Sequence, residues 1–113
     1  MPHVIIEYSQ DVLPESQINY LIEEVFQAIV STNVFEPENI KIRAVPYTYY
    51  KVGSGDKSFT HVQLRIHPGR NAEKKRKLTT AVVAAVRGVG LKIDVITAEV
   101  IEMDKSTYAK DTI

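Results

Sequence analysis

Apolar positions recur along this chain in two rhythms, and the rhythms alternate. Val4, Ile5 and Ile6 stand in a row ahead of Tyr8. A β-branched run of this kind predicts a strand over Val4–Tyr8 buried on both faces. Ser9, Gln10 and Asp11 break it. Ile18, Leu21, Ile22, Val25, Phe26, Ile29 and Val30 then recur at helical spacing, with Glu15, Gln17, Glu23, Glu24 and Gln27 between them. That is the stripe of an amphipathic helix of about five turns. Pro14 suits its first turn, where a missing N–H costs nothing. Asn33 and the Glu36-Pro37-Glu38-Asn39 segment end it.

The second half repeats the scheme. Ile40–Tyr50 reads as a strand with Ile40, Ile42 and Ala44 on one face and Lys41, Arg43 and Val45 on the other. Pro46 inside it implies an edge, a bulge or a strand end. Gly53-Ser54-Gly55-Asp56 is a turn, and Phe59–Ile66 a third strand. Thr60, Val62, Leu64 and Ile66 share one of its faces; Phe59, His61, Gln63 and Arg65 share the other. After the turn His67-Pro68-Gly69-Arg70 comes a second helix, with Asn71 as N-cap and Glu73 at its positive end. Leu78, Ala81, Val82, Ala85 and Val86 form its stripe, and Gly88 or Gly90 stops it. Ile93–Glu102 completes a fourth strand, followed by a polar tail that is expected to wrap onto the body.

Strand-helix-strand, twice over, predicts one α+β domain spanning residues 1–113. Its halves are about 1–52 and 57–103, with a tail at 104–113. Within each half the two strands should be parallel. Both helices then cover one face of a four-stranded sheet. The other face, with Lys41, Arg43, His61, Gln63 and Arg65, is left open, which predicts contact between subunits. The same element order also fits a ferredoxin-like sandwich.

Composition narrows the chemistry. Fourteen basic residues balance fourteen acidic ones, so nothing marks a nucleic-acid or membrane partner. The basic run Lys74–Lys77 reads as a solvated helix face. Without cysteine there are no disulfides or thiolate nucleophiles. The three histidines, His3, His61 and His67, share no close spacing, so no metal site is expected. Ser9, Ser16 and Ser31 sit in no nucleophile-elbow motif. No leader pattern and no apolar run of roughly 20 residues is visible, so a cytoplasmic protein is expected, with oligomerisation extending a small core.

One residue stands out as chemistry. Pro2 follows Met1 at the head of the first strand. Removal of Met1 would leave a free secondary amine fixed at a strand end. Its ordinary pKa is roughly 8, and burial or a neighbouring cation lowers it toward the range useful for proton transfer.

Taken together, Met1-Pro2-His3 opening a strand, Ile40-Lys41-Ile42-Arg43, Phe59-Thr60-His61-Val62, Pro68-Gly69-Arg70-Asn71, Ile101-Glu102-Met103-Asp104 and Tyr108-Ala109-Lys110 resemble the tautomerase superfamily. Within it they are most similar to the 5-carboxymethyl-2-hydroxymuconate isomerases. The resemblance spans nearly the whole chain. It implies a homotrimer of double strand-helix-strand subunits with the sheets inside and no cofactor. It also implies that Pro2 is the catalytic base for a small-molecule carboxylate, with Arg43 and Arg70 as the arginines that grip it. His61, Tyr47 and Tyr50 are candidate pocket walls. The segment Val45–Tyr50 carries tyrosines where the best-known members have tryptophans, which leaves the substrate open. A phenylpyruvate-type tautomerase, a dehalogenase and a non-catalytic ferredoxin-like binding module are the alternatives.

Overall fold

The computed structural model describes residues Met1–Ile113. Strand β1 (His3–Ser9) leads into helix α1 (Glu15–Ser31), and a single 3₁₀ turn (Pro37–Asn39) leads into β2 (Lys41–Tyr47). Then come β3 (Phe59–Ile66), helix α2 (Ala72–Gly88) and β4 (Val95–Glu102). The sheet order is β2-β1-β3-β4. β1 pairs with β2 in parallel and β3 with β4 in parallel, while β1 and β3 run antiparallel at the centre. The two β-α-β halves therefore meet along their first strands. Direct β1–β2 pairing excludes the ferredoxin-like order, in which the βαβ unit is split by an intervening strand.

Burial follows strand parity. Val4, Ile6, Val62, Leu64 and Ile66 are fully buried against Leu21, Val25 and Ile29 of α1 and Leu78, Val82 and Val86 of α2. Truncating a side chain such as Leu21 or Ile6 to Ala in a packed layer of this kind costs ~2–5 kcal/mol. The odd positions of β1 behave differently. His3, Ile5 and Glu7 are only half-buried, so the β-branched run is not buried on both faces. One subunit supplies no second layer for that side. The register puts His3 between Lys41 and Arg65, Ile5 between Arg43 and Gln63, and Glu7 between Val45 and His61. This open face also carries Val45, Tyr47 and Val95, each more than a third exposed.

Element ends differ from the sequence expectation for local reasons. Pro14 precedes α1 as its N-cap rather than lying in its first turn. β2 stops at Tyr47, because beyond Ser9 its neighbour offers no further ladder. Pro46 is tolerated because β2 is an edge strand. β4 begins at Val95: Ile93 is buried as a core plug, and Asp94 clamps Ser58 instead of pairing. Asn71 caps α2 as expected, its side chain accepting the Lys74 N–H at 2.9 Å. No helix is long and apolar enough to cross a membrane.

Candidate active site

The head of β1 is where the chemistry-bearing residues gather. Pro2 is buried and its carbonyl accepts the Lys41 N–H at 3.0 Å, so the β1–β2 ladder fixes it one residue before the strand proper. Strand alternation places it on the helix side, with Val4 and Ile6. Beside it a cavity of about 530 Å³ is lined by Met1, Phe35, Asn39 and Arg70, among others. The Arg70 guanidinium lies 4.5 Å from the centre of the Phe35 ring, a cation–π contact that fixes its plane. Gly69 at φ +126° makes the turn that delivers Arg70 to this position. Lys41 donates from Nζ to the Asn39 carbonyl at 2.9 Å, which holds its ammonium near the chain start.

These groups act on the terminal amine. Burial, then the cations Lys41 and Lys110, a hydrogen bond with Lys41 and finally the charge of Arg70 push the Met1 amine from 8.0 down to about 6. None of Lys41, Arg43, Arg70 and Lys110 is in an ion pair; the salt bridges in the chain are His61–Glu99 and Lys75–Glu102. Positive charge is collected here without an ion pair, although Glu36 also lines the cavity.

Arg43 lies on the open face, exposed, with Nη1 3.3 Å from His3 Nδ1. A guanidinium can only donate, so Nδ1 is the acceptor and Nε2 carries the proton, which it donates to the Tyr108 hydroxyl at 3.0 Å. His3 is neutral at pH 7: burial foremost, then Arg43 and Lys41, lower its pKa. Tyr108 also packs edge-on to His67, ring centres 5.0 Å apart at 85°. The C-terminal tail thus closes over the start of the strand.

The remaining candidates sit at the other end of the sheet. The Tyr47 hydroxyl donates to Glu7 at 2.7 Å and the Tyr50 hydroxyl to Asp11 at 2.6 Å. These hydrogen bonds to carboxylates are the leading cause that raises the pKa of each phenol. His61 spans two partners across β4, with Nδ1 2.6 Å from Thr97 Oγ1 and Nε2 2.6 Å from Glu99 Oε2. Tyr47 pairs in register with Ser9, seven residues along from Pro2 and so roughly 20 Å away.

Within one chain Arg70 lines the cavity that Met1 also lines, next to Pro2 in the chain, and Arg43 is turned toward His3. The structure does not bring His61, Tyr47 or Tyr50 to them. Three residues of this region were missing from the sequence-based candidates: Lys41, Lys110 and Tyr108. Lys41 carried a faint signal, standing two positions before Arg43. Its placement opposite His3 depends on the pairing register, which no local pattern supplies. No group of three His, Asp or Glu side chains has the geometry to hold a metal ion.

Comparison with known proteins places this arrangement. The family model for 5-carboxymethyl-2-hydroxymuconate isomerase matches residues 2–110. No curated protein matches the chain in sequence. Among solved structures, a 5-carboxymethyl-2-hydroxymuconate isomerase from Deinococcus radiodurans R1 superimposes with a TM-score of 0.83 at 24% identity, covering 99% of this chain and 90% of that one. A 5-carboxymethyl-2-hydroxymuconate delta-isomerase gives a TM-score of 0.81 at 19% identity over 99% and 89% of the two chains. A wild-type fused 4-OT described as a symmetric trimer gives 0.77 at 17% identity over 92% and 87%.

Proposed function

The chain belongs to the 5-carboxymethyl-2-hydroxymuconate isomerase family, and from that premise we propose that it moves a proton along an unsaturated 2-hydroxy di- or tricarboxylate, with the amine of Pro2 as base. The family makes it an isomerase; the substrate and the roles of individual residues are the content of the proposal. Once Met1 is removed, the neutral Pro2 nitrogen takes the proton of the 2-hydroxyl group. The electrons left behind form the 2-oxo group and shift the double bonds. The prolinium then returns the proton to a carbon farther along the chain, so the reaction is an isomerisation with nothing consumed. Arg70 holds a substrate carboxylate by two parallel hydrogen bonds, and a guanidinium near the 2-oxygen stabilises the charge that develops there.

The observation that supports this reading is the setting of the chain start, where burial first and then the unpaired cations Lys41, Lys110 and Arg70 lower the Met1 amine to about 6. A base is useful when it is free at working pH, and here the surroundings free it.

Arg43, His61, Tyr47 and Tyr50 join the site from a neighbouring subunit in this reading. The open sheet face, with exposed Val45, Tyr47 and Val95, is suited to burial inside a trimer. The fused 4-OT with the same fold is described as one.

The test uses mono-, di- and tri-acid enols as substrates, with protein whose mass establishes loss of Met1. Pro2→Ala should lower kcat for the preferred di- or tri-acid by about 10²- to 10⁴-fold, the usual worth of a positioned base. Unchanged turnover in Pro2→Ala removes the proposed base. Preference for a mono-acid enol moves the protein to the phenylpyruvate-type reading.

A further inference from the structure

We propose that the C-terminal tail is a wall of the site, and that Lys110 on it grips a substrate carboxylate remote from the reacting oxygen, making the protein selective for polyacids over mono-acids. The inference rests on the substrate class proposed above and adds a residue and a segment to it.

The path of the tail is set by specific contacts. The Met103 N–H donates to the Ile66 carbonyl at 2.8 Å, extending the β3–β4 ladder by one bond. Asp104 then makes a turn: its carboxylate accepts from the Ser106 N–H at 3.0 Å and hydroxyl at 2.6 Å, and its carbonyl accepts from Thr107. The turn sends Tyr108 back onto the body, against His67 on one side and His3 on the other. The Tyr108–His3 hydrogen bond fastens the tail to the residue that follows Pro2. Lys110 is two residues beyond, and two residues span at most about 7 Å. The anchor therefore bounds how far the backbone of the exposed Lys110 lies from Tyr108, and the Lys110 charge is among those acting on the amine at the chain start.

A lysine in a tail is ordinarily just solvated. What distinguishes this one is the company it is held in. The charges of Lys41, Arg70 and Lys110 all reach the amine at the chain start, and no ion pair in the chain neutralises any of them. Glu36 lines the same cavity but pairs with none of them; like charges gathered without a paired acid are repulsive, and a polyanion relieves that repulsion more than a monoanion does. A mono-acid needs one cationic partner, which Arg70 supplies. A second or third carboxylate gives Lys110 something to hold.

Calorimetry with two saturated probes, the tricarboxylate tricarballylate and the mono-acid phenylacetate, tests the selectivity without requiring turnover. For Lys110→Met, tricarballylate should bind roughly fivefold more weakly while phenylacetate changes by less than twofold, the scale of one exposed charge pair. Tyr108→Phe, which keeps the ring and removes the hydroxyl, should weaken tricarballylate in the same direction by a smaller factor. Equal losses for both probes in Lys110→Met, or no loss, overturn the inference, as does a wild type that binds the two probes equally. Failure here and failure of the catalytic reading are separable. An inactive wild type that still loses tricarballylate selectively in Lys110→Met keeps the tail and removes the isomerase mechanism. A Pro2-dependent enzyme whose Lys110→Met variant binds both probes normally does the reverse.

Discussion

The two ends of β1 use the same kinds of side chain to opposite effect. At the Pro2 end, cations stand without ion-paired acids: burial first, then Lys41, Lys110 and Arg70, lower the pKa of the Met1 amine, and Glu36 in the same cavity pairs with none of them. At the Ser9 end, acids are already engaged by tyrosines: Glu7 by Tyr47 and Asp11 by Tyr50, and those phenols are held protonated. A chain with a formal net charge of zero has thus collected unsatisfied positive charge at one end of one strand. A net charge of zero says nothing about a site a few ångströms across. An end whose groups are mutually satisfied holds structure; an end whose groups are not is waiting for a ligand.

The largest predicted effect probes how the ends meet. If the site is composite, Pro2 of one subunit works with Arg43 of another. Pro2→Ala and Arg43→Ala should each lose about 10²-fold or more. Co-expressed in equal amounts, they should recover about a quarter of wild-type activity, the fraction of random pairings in which both residues are intact. No recovery in mixed oligomers would confine the site to one chain and leave Arg43 a partner of His3 alone.

Arg70→Ala comes next. Loss of the carboxylate clamp should lower kcat/KM by roughly 10- to 100-fold, as expected for a charged hydrogen bond. A steady-state assay should show most of it in KM, with the thermal midpoint little changed. An effect no larger than that of Tyr47→Phe would mean that the cation-rich end is not where the substrate sits.

Much of this contrast could be anticipated, and the part that could not has a physical reason. Helical stripes such as Leu21-Val25-Ile29 and strand alternation such as Val62-Leu64-Ile66 were legible because burial imposes a period on the sequence. The open face was legible for the same reason, as a second phase of polar residues. The end of β2 was not. Thr48, Tyr49 and Tyr50 look as strand-like as their predecessors, and only the absence of a pairing partner stops the ladder. Pro2 and Arg70 were singled out from short motifs. Lys41, Tyr108 and Lys110 were not, because register and the path of a tail are properties of distant segments. Nothing within a few residues of Tyr108 announces that it will meet His3, 105 positions away.

A smaller effect tests the electrostatic half of the comparison. In the processed enzyme, kcat/KM should rise with pH as Pro2 loses its proton, with the midpoint below the usual 8 and toward the value of about 6 seen for the chain's amine. The sign follows from the charge: neighbouring cations favour the neutral amine, so activity is lost as pH falls through the folded pKa. In the chain that keeps Met1, its amine makes folding stability rise with pH between about 6 and 8, because only the unfolded chain still binds the proton there. Lys41→Met removes the cation that acts most strongly on the amine and should move the acid limb upward, lowering activity at pH 7 by a few-fold while leaving the high-pH plateau in place. A limb that stays put would assign the lowered pKa to burial alone.

The smallest effect belongs to the other end. The Tyr50 hydroxyl is already donated to Asp11 at 2.6 Å, and that bond is the main reason its phenol resists ionisation. A hydroxyl committed in this way is a poor proton donor to a substrate, so whatever Tyr50 contributes as a pocket wall is contributed by its ring, which packs on Phe59 at 5.3 Å. Tyr50→Phe keeps the ring. It should leave kcat unchanged and alter KM by less than about twofold, as for most surface substitutions away from charged contacts. A tenfold fall in kcat would show the hydroxyl transferring a proton. The carboxylate-paired end would then be part of the chemistry, and the division between a satisfied end and a reactive one would not hold.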